Sequence, residues 1–466
     1  MTKLAAGLLL AAIMCHGKEI FVSPKGSDKG KGTAASPYAT VQRALEAAGG
    51  GNAVITLRGG TYYVTSRLRI NVPNVTLRSY PGEWAHIAAP IDNPKIVQAV
   101  EFWVGSSGGR LERLEISGGH LYAVMIQGGA GWSRDPATDI VIQDCDLHSS
   151  GRDVIKLTPG TDRVTIRRNR IHDSGRRDPS NAEGIDNVNA DDMLVQDNRI
   201  YNIATNGLYA KGGAKRPVIE RNLIMNTGGA GIALGFTTDA EFFDPDNRER
   251  FESIGAIVRN NIIVNTDWAG IGMFAAKNAQ VYNNTLVDTG RVYHGSICIQ
   301  SAANPFLSRT ASEDITIRNN IVAQGNGGRN PLVHIRCHTG VRPCAAGLRG
   351  MPSMSNNLYF AASGQARFAD ERPDHRYSGG LAGWRKHVDG ETGSIEADPR
   401  LDASYHLLED SPAIGAGAAL AEDDYDCQPR TGPNDIGADQ HDGNTAAPPR
   451  RSVSAHVSTR RASPAP

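Results

Sequence analysis

The sequence lacks several things. It has no surplus of charge, with 49 basic and 49 acidic side chains, so it carries no electrostatic footprint for nucleic acid. Aromatic residues make up only 6% of it, while glycine appears 52 times. That balance points to many tight turns and small packing residues. Cysteines number six, and no spacing among them resembles a zinc site. Beyond the first residues no apolar run is long enough to span a bilayer.

The chain opens MTKLAAGLLLAAIMCHG, one lysine before an eleven-residue apolar run. This reads as a secretory signal over residues 1–18, exported to the periplasm or beyond. The alternatives are a short buried helix or a lipid anchor at Cys15. Cys145, Cys298, Cys337, Cys344 and Cys427 remain after processing. Cys337 and Cys344, in RCHTGVRPC, are placed to close a small loop in an oxidising compartment. At least one thiol then stays free.

What is present is a repeat. The phrases IRRNRIHDSG, VQDNRIYNIA, IERNLIMNTG, VRNNIIVNTD, VYNNTLVDTG, IRNNIVAQG and MSNNLYF each hold an Asn with an apolar residue two places on. The asparagines are Asn169, Asn198, Asn222, Asn261, Asn284, Asn320 and Asn357, and Cys145 fills the same slot in IQDCDLHSSG. Their spacings of 24, 29, 24, 39, 23, 36 and 37 describe a short unit of 23 or 24 residues with insertions. Within each unit, alternating apolar runs are broken by Gly, Asn and Asp, the pattern of strands and turns. One such unit cannot bury its own apolar face, so copies must stack.

The fold expected is an all-β right-handed parallel β-helix over residues 19–440. The asparagines should form a hydrogen-bonded ladder at one bend. A leucine-rich solenoid lacks its leucine frame here. SPYATVQRALEAAGGG (36–51) reads as an amphipathic helix after a serine cap, lying over the open end of the stack. Residues 353–440 read as weaker coils and a closing loop. The Arg/Pro/Ser-rich tail 441–466 has no apolar pattern and is expected to be disordered.

The ends FVSPKGSDKGKGTAASPYATVQRALEAA…GGTYYV and SPAIGAGA…DIGAD resemble those of secreted β-helix polysaccharide lyases. These are the family-nine pectate lyases and the alginate lyase and chondroitinase B group. NGLYAKGG (206–213) resembles the family-nine NGF-x-x-GG turn, which carries a catalytic lysine. The resemblance implies Lys211 as the base, an acidic coil before it that binds Ca2+, and a uronic-acid polysaccharide as substrate. EGIDNVNADDMLVQDN also resembles the YGxDPHD coil of alginate C5-epimerases, Asp186 matching its aspartate. Val188 stands in place of that family's histidine and Glu183 in place of its tyrosine.

Chemistry and the stack make the rest of the site. Removing the weakly acidic C5 proton of a uronate needs its carboxylate neutralised and a base within hydrogen-bond reach. Neighbouring rungs lie about 4.8 Å apart, so same-slot residues become neighbours. Asp153, Glu183 and Asp186, with Asn187 as a further oxygen donor, are the expected calcium ligands. Lys156 or Arg152 would bind a carboxylate and tune Lys211. Arg177, in the insertion 175–181, and Phe242, in the insertion 237–253, are candidate substrate contacts, as is Tyr209.

Each also has a structural reading. Lys211 fits a solvated turn, Asp186 an Asx turn, and Lys156 a simple ion pair with Asp186. Asp191 and Asp192 read better as exposed turn residues. The insertion loops read equally as self-packed. No His pair has convincing metal spacing. The expected activity is a calcium-assisted lyase, a monomer acting on an acidic polysaccharide. A glycoside hydrolase or epimerase on the same fold, and a non-catalytic carbohydrate-binding protein, stay open.

Overall fold

The computed structural model describes residues 17–441 apart from 130–134, 303–309, 326–329 and 339–343. The expected tail therefore lies outside the described residues, except for His441. So does the expected leader, except for Gly17 and Lys18. Lys18 already opens a strand, Lys18–Val22, paired with Ala53–Leu57.

Three twelve-stranded sheets run the length of the molecule, and almost every pairing is parallel. One turn of the coil shows the order. Val141–Gln143 belongs to the first sheet, Asp146–His148 to the second and Ile155–Leu157 to the third. The chain then re-enters the first sheet at Thr165–Arg167, beside Val141–Gln143. A five-stranded ribbon starting at Ala214–Lys215 adds a fourth corner to the later turns.

Strands of three residues suffice because each points one side chain inward. In the first sheet the inward column runs Ile142, Ile166, Val195, Ile219 and Val258, all fully buried. Those residues belong to one continuous core from Ile20 to Val388. Each buried aliphatic of this size is worth about 1.5–3 kcal/mol, which a lone unit could not collect.

The ladder forms as the repeat predicts. Each backbone N–H donates to the side-chain oxygen of the next amide: Asn169 N–H to Asn198 Oδ1 at 3.0 Å, and Asn198 N–H to Asn222 Oδ1 at 3.0 Å. The series continues through Asn261, Asn284 and Asn320 to Asn357, and Cys145 N–H joins it at 2.9 Å. Asn357 N–H finally donates to Ser394 Oγ. The residue before each ladder position sits in the left-handed region, φ 51–58° from Asp144 to Asn356. That kink turns the chain from the first sheet into the second.

Two helices close the ends. The first is Val41–Ala48, shorter than 36–51, and Thr40 rather than a serine caps it by accepting from Arg43 N–H. Asp28 holds residues 39 and 40 extended by accepting both their N–H groups, which delays the helix. The second, Leu381–Val388, lays the buried Trp384 over Phe368, rings 5.5 Å apart. Residues 401–440 are not further coils. They run back along the outside, where Asn319 and Asn283 donate to Ala418 O and Asp435 O, and Arg221 pairs with Asp423. Cys337 and Cys344 form a disulfide, with Cα atoms 5.7 Å apart. Cys145 and Cys298 are buried free thiols and Cys427 is exposed.

Candidate functional site

Three adjacent strands of the third sheet, Ile155–Leu157, Ile185–Val188 and Leu208–Lys211, carry the charged residues. Their register sets Lys156 beside Asp186 and Asp186 beside Tyr209. Ile155, Ile185 and Leu208 enter the core, so Lys156, Asp186 and Tyr209 take the outer face. Asp153 and Glu183 arrive just upstream, one rung apart, because Val154 N–H bonds Glu183 O. Oxygens of Asp153, Glu183 and Asp186 come within 4.8 Å of one another, and all three residues are buried.

Their hydrogen bonds are incomplete. Lys156 donates to Asp186 Oδ2. Asp153 Oδ1 accepts from Glu183 N–H at 3.1 Å. Glu183 Oε1 accepts from Thr205 Oγ1 at 2.8 Å and Asn206 Nδ2 at 3.2 Å. Glu183 Oε2 and Asp186 Oδ1 are buried with no partner. Unpaired buried carboxylate oxygens are expensive. Burial first, then the charges of Asp186 and Glu183, push the Asp153 carboxyl well above the usual range. Burial and Asp186 also raise the Glu183 carboxyl. Burial opposes the charge on Lys156, but Asp186 and Asp153 outweigh it and hold its pKa above the ordinary lysine range. Three carboxylates against one ammonium, with two oxygens unclaimed, are a hard oxygen donor set that fits a divalent cation.

Lys211 lies on the same face, two residues beyond Tyr209. Its ammonium sits 4.2 Å over the Tyr209 ring and donates to Thr237 O at 3.2 Å. The turn after it is fixed from below. Buried Glu252 accepts from Gly212 N–H at 2.8 Å and Thr238 Oγ1 at 2.7 Å. Gly212 and Gly213 adopt φ of 72° and 97°, and a Cβ on Gly213 would meet Asn247 Nδ2 at 2.9 Å. The Gly-Gly pair is thus a backbone requirement. Tyr209 itself is buried, and burial with the nearby Asp186 charge raises its phenol well above the ordinary value.

The expectations for Asn187, Lys156 and Arg152 need correction. Asn187 is not with the carboxylates. Strand alternation turns it into the core beside Leu157 and Ala210, where it bonds both the N–H and the C=O of Ala190. Lys156 does not neighbour Lys211; it is two rungs away and committed to Asp186. Arg152 turns to Asn181 O and Asp178 instead. Arg177 is exposed and donates to His120 O. In the insertion 237–253, Phe243 and Phe251 are buried and only Phe242 is exposed, at 38%. Asp192 forms a two-pronged pair with exposed Arg216, as a turn residue should.

Other residues were not visible in the sequence pattern. Beyond Tyr209 the outer row shrinks to Ala233, Gly272 and Cys298, then reaches His334. Over these small residues lie Phe274, Phe236 and Trp268, with Tyr293 beside Trp268 and Arg336 4.4 Å over Tyr293. His294 is buried among these rings, which together with Arg336 brings its pKa down to about 3, so it is neutral. An aromatic, cationic floor thus continues the row of carboxylates. Flat apolar faces of this kind stack on sugar rings. The signal was there as three small residues in the outward slot, readable only once strand register is known.

A model described as "right handed beta helix region" matches residues 99–245. Pectate lyase PEL9 of Emericella nidulans is 44% identical over 71 residues, which are 14% of this chain and 17% of that protein. The match therefore spans less than a fifth of the curated relative's length. The crystal structure of pectate lyase Pel9A superposes over 91% of this chain and 96% of its own, with TM-score 0.53 and 12% identity. The A-module of mannuronan C-5 epimerase AlgE4 from Azotobacter vinelandii covers 76% of this chain and 98% of its own, with TM-score 0.51 and 15% identity. The chain is a right-handed parallel β-helix, and it shares that fold with a pectate lyase and an alginate epimerase.

Proposed function

We propose that this protein is a secreted polysaccharide lyase acting on an anionic uronic-acid polymer. The observation that carries the reading is the buried group Asp153, Glu183 and Asp186 with two unpartnered carboxylate oxygens beside a lysine-bearing turn. Likeness to pectate lyases and to an epimerase, all named for work on uronic-acid polymers, supports the substrate class. The disulfide fits an oxidising compartment. No helix among the described residues is long and apolar enough to cross a membrane.

Asp153, Glu183 and Asp186 are the residues that would hold calcium. When bound, the ion supplies the positive charge that stabilises the developing enolate of a uronate. Lys156 keeps its proton and holds Asp186 in place. Lys211 is the base that takes the C5 proton. The C5–H electrons form the C4–C5 double bond, the C4–O bond breaks, and the departing oxygen takes up a proton that Lys211 can return. Trp268, Tyr293 and Arg336, supported from beneath by the buried Phe274, bind neighbouring sugars and their carboxylates, and Arg177 and Phe242 extend this contact from the loops.

The test is ultraviolet absorbance of the unsaturated uronate product across polygalacturonate, alginate and chondroitin sulfate, with calcium and with chelator. Wild type should produce it with calcium, and Lys211→Ala and Asp186→Asn should not. Product that persists in chelator removes the calcium assignment. New reducing ends without absorbance indicate a hydrolase, and binding without either product indicates a carbohydrate-binding protein.

A further inference from the structure

The outer face of the second sheet carries a separate group of ligating side chains. Its register sets His86, Glu115 and Asp146 in one column and Ser117, His148, His172 and Tyr201 in the next. The His148, His172 and Tyr201 rings stack at 4.9 and 4.6 Å, nearly parallel. At the N-terminal end of this stack, His86 Nε2 and His148 Nε2 both approach Glu115 Oε1, at 3.5 and 3.4 Å. All three ligand atoms lie within 4.8 Å of one another.

We propose that His86, Glu115 and His148 bind a zinc-class transition-metal ion, with solvent in the fourth position. The spacing is the first argument. Charge-assisted hydrogen bonds close to about 2.7–2.9 Å, and neither histidine closes that far on Glu115. Ligands bonded at about 2.0–2.1 Å to a tetrahedral ion stand about 3.3–3.4 Å apart, close to the 3.5 and 3.4 Å from Glu115 Oε1 to the two imidazoles.

The second argument is how the imidazoles are held. His148 Nδ1 meets Ser149 Oγ at 2.9 Å. With that hydroxyl accepting, the proton rests on Nδ1 and the Nε2 lone pair faces Glu115, the outer-partner arrangement that metal-bound histidines use. His172, one rung on, is the internal contrast. Its Nε2 and Nδ1 are both spent on carboxylates, Asp146 at 2.9 Å and Asp173 at 2.7 Å, so it is a paired histidine and not a ligand. His86 Nε2 also meets Ser117 Oγ at 2.7 Å, a bond the ion would replace. Two imidazoles with one carboxylate suit zinc, whereas the all-oxygen group on the third sheet suits calcium.

The side chains of His86, Glu115 and His148 are 25, 29 and 20% exposed, which leaves room for a solvent ligand and a way in. An ion there would tie the strands Ala85–Ala88, Leu114–Ser117 and Asp146–His148 together across three rungs. Its role is a clamp on the early coils, independent of the lyase reading.

Calorimetric titration of the untagged, chelator-stripped full chain with zinc chloride, in excess calcium, tests this. One ion per chain should bind to wild type, and binding should be lost in His148→Ala and in His86→Gln. His172→Ala should bind as wild type does. So should His406→Ala, the control for the other convergence, His406 with Asp426 and Asp439. Zinc should also raise the thermal midpoint of wild type but not of His148→Ala. Absence of binding in wild type, equal binding in His148→Ala and His86→Gln, or loss in His406→Ala instead would overturn the proposal.

Discussion

Two stacks of like side chains run up this β-helix under opposite rules. In the asparagine ladder each amide is both donor and acceptor, so like upon like completes both. Asn222 Oδ1 accepts the N–H and the Nδ2 of Asn198, while its own Nδ2 donates to Asn261 Oδ1, Val195 O and Glu220 O. Carboxylates only accept. Stacking Asp153, Glu183 and Asp186 therefore leaves oxygens unclaimed and charges opposed, with Lys156 offsetting one of them. The repeat decides which residues become neighbours. The donor and acceptor inventory of each side chain decides whether that adjacency stabilises the coil or holds a demand for an ion.

The largest expected effect breaks the charged stack. Lys211→Ala should lower kcat by about 10²–10⁴-fold, the usual worth of a positioned general base. Thermal stability should stay near wild type, since its ammonium holds one backbone carbonyl and a ring face. Steady-state rates beside a melting curve separate the two. Equal activity in the variant would leave Lys211 as a turn lysine.

Breaking the neutral stack should do the reverse. Asn222→Ala removes the acceptor of a buried N–H and opens a gap in the ladder, at a cost of about 2–4 kcal/mol. Denaturant unfolding reads this. A loss below about 1 kcal/mol would mean the ladder is decoration on a core that needs no help.

The sequence made the neutral stack legible because seven successive copies keep their Asn, and Cys145 marks the copy where the ladder starts. The three carboxylates were legible for the same reason, as charged residues in neighbouring slots. Asn187 was misread because adjacency along the chain resembles adjacency in space, yet a period of two sends it to the opposite face from Asp186. The returning segment after residue 400 repeats nothing; contacts such as Asn260 with Asp423, 163 residues apart, have no local signature. The His86 and His148 pairing hides the same way, since the residues between them erase any ligand spacing and only the rung register restores it.

A subtler change sharpens the difference through pH. Asp153 has a raised folded pKa, so the fold binds its proton more tightly than the unfolded chain does. Its contribution is present below the ordinary aspartate range and is lost as pH rises through the raised folded value. In chelator, wild-type stability should therefore fall across that window, and Asp153→Asn should flatten the slope and raise the melting temperature at neutral pH. Calcium should restore stability to wild type and leave Asp153→Asn unmoved. A variant with the wild-type slope would mean that Asp153 is not the titrating group.

The smallest effect comes from one slot read on two rungs. The left-handed position before the ladder holds Arg168 on an early rung, in a half-buried pair with Asp144 at 2.7 and 2.8 Å that water still reaches. On a later rung it holds Asn260, fully buried beneath the returning segment, where it donates to Asp423 O at 3.0 Å and accepts from Arg430. Arg168→Ala should cost no more than about 1 kcal/mol, because water reaches this half-buried pair and replaces much of what it gives. Asn260→Ala should cost about 1–3 kcal/mol, because the groups it leaves have no water to turn to. Salt should shrink the first loss and spare the second. Equal losses in the two variants would show that the returning segment does not seal this corner, and that the early and late coils are held by the same forces.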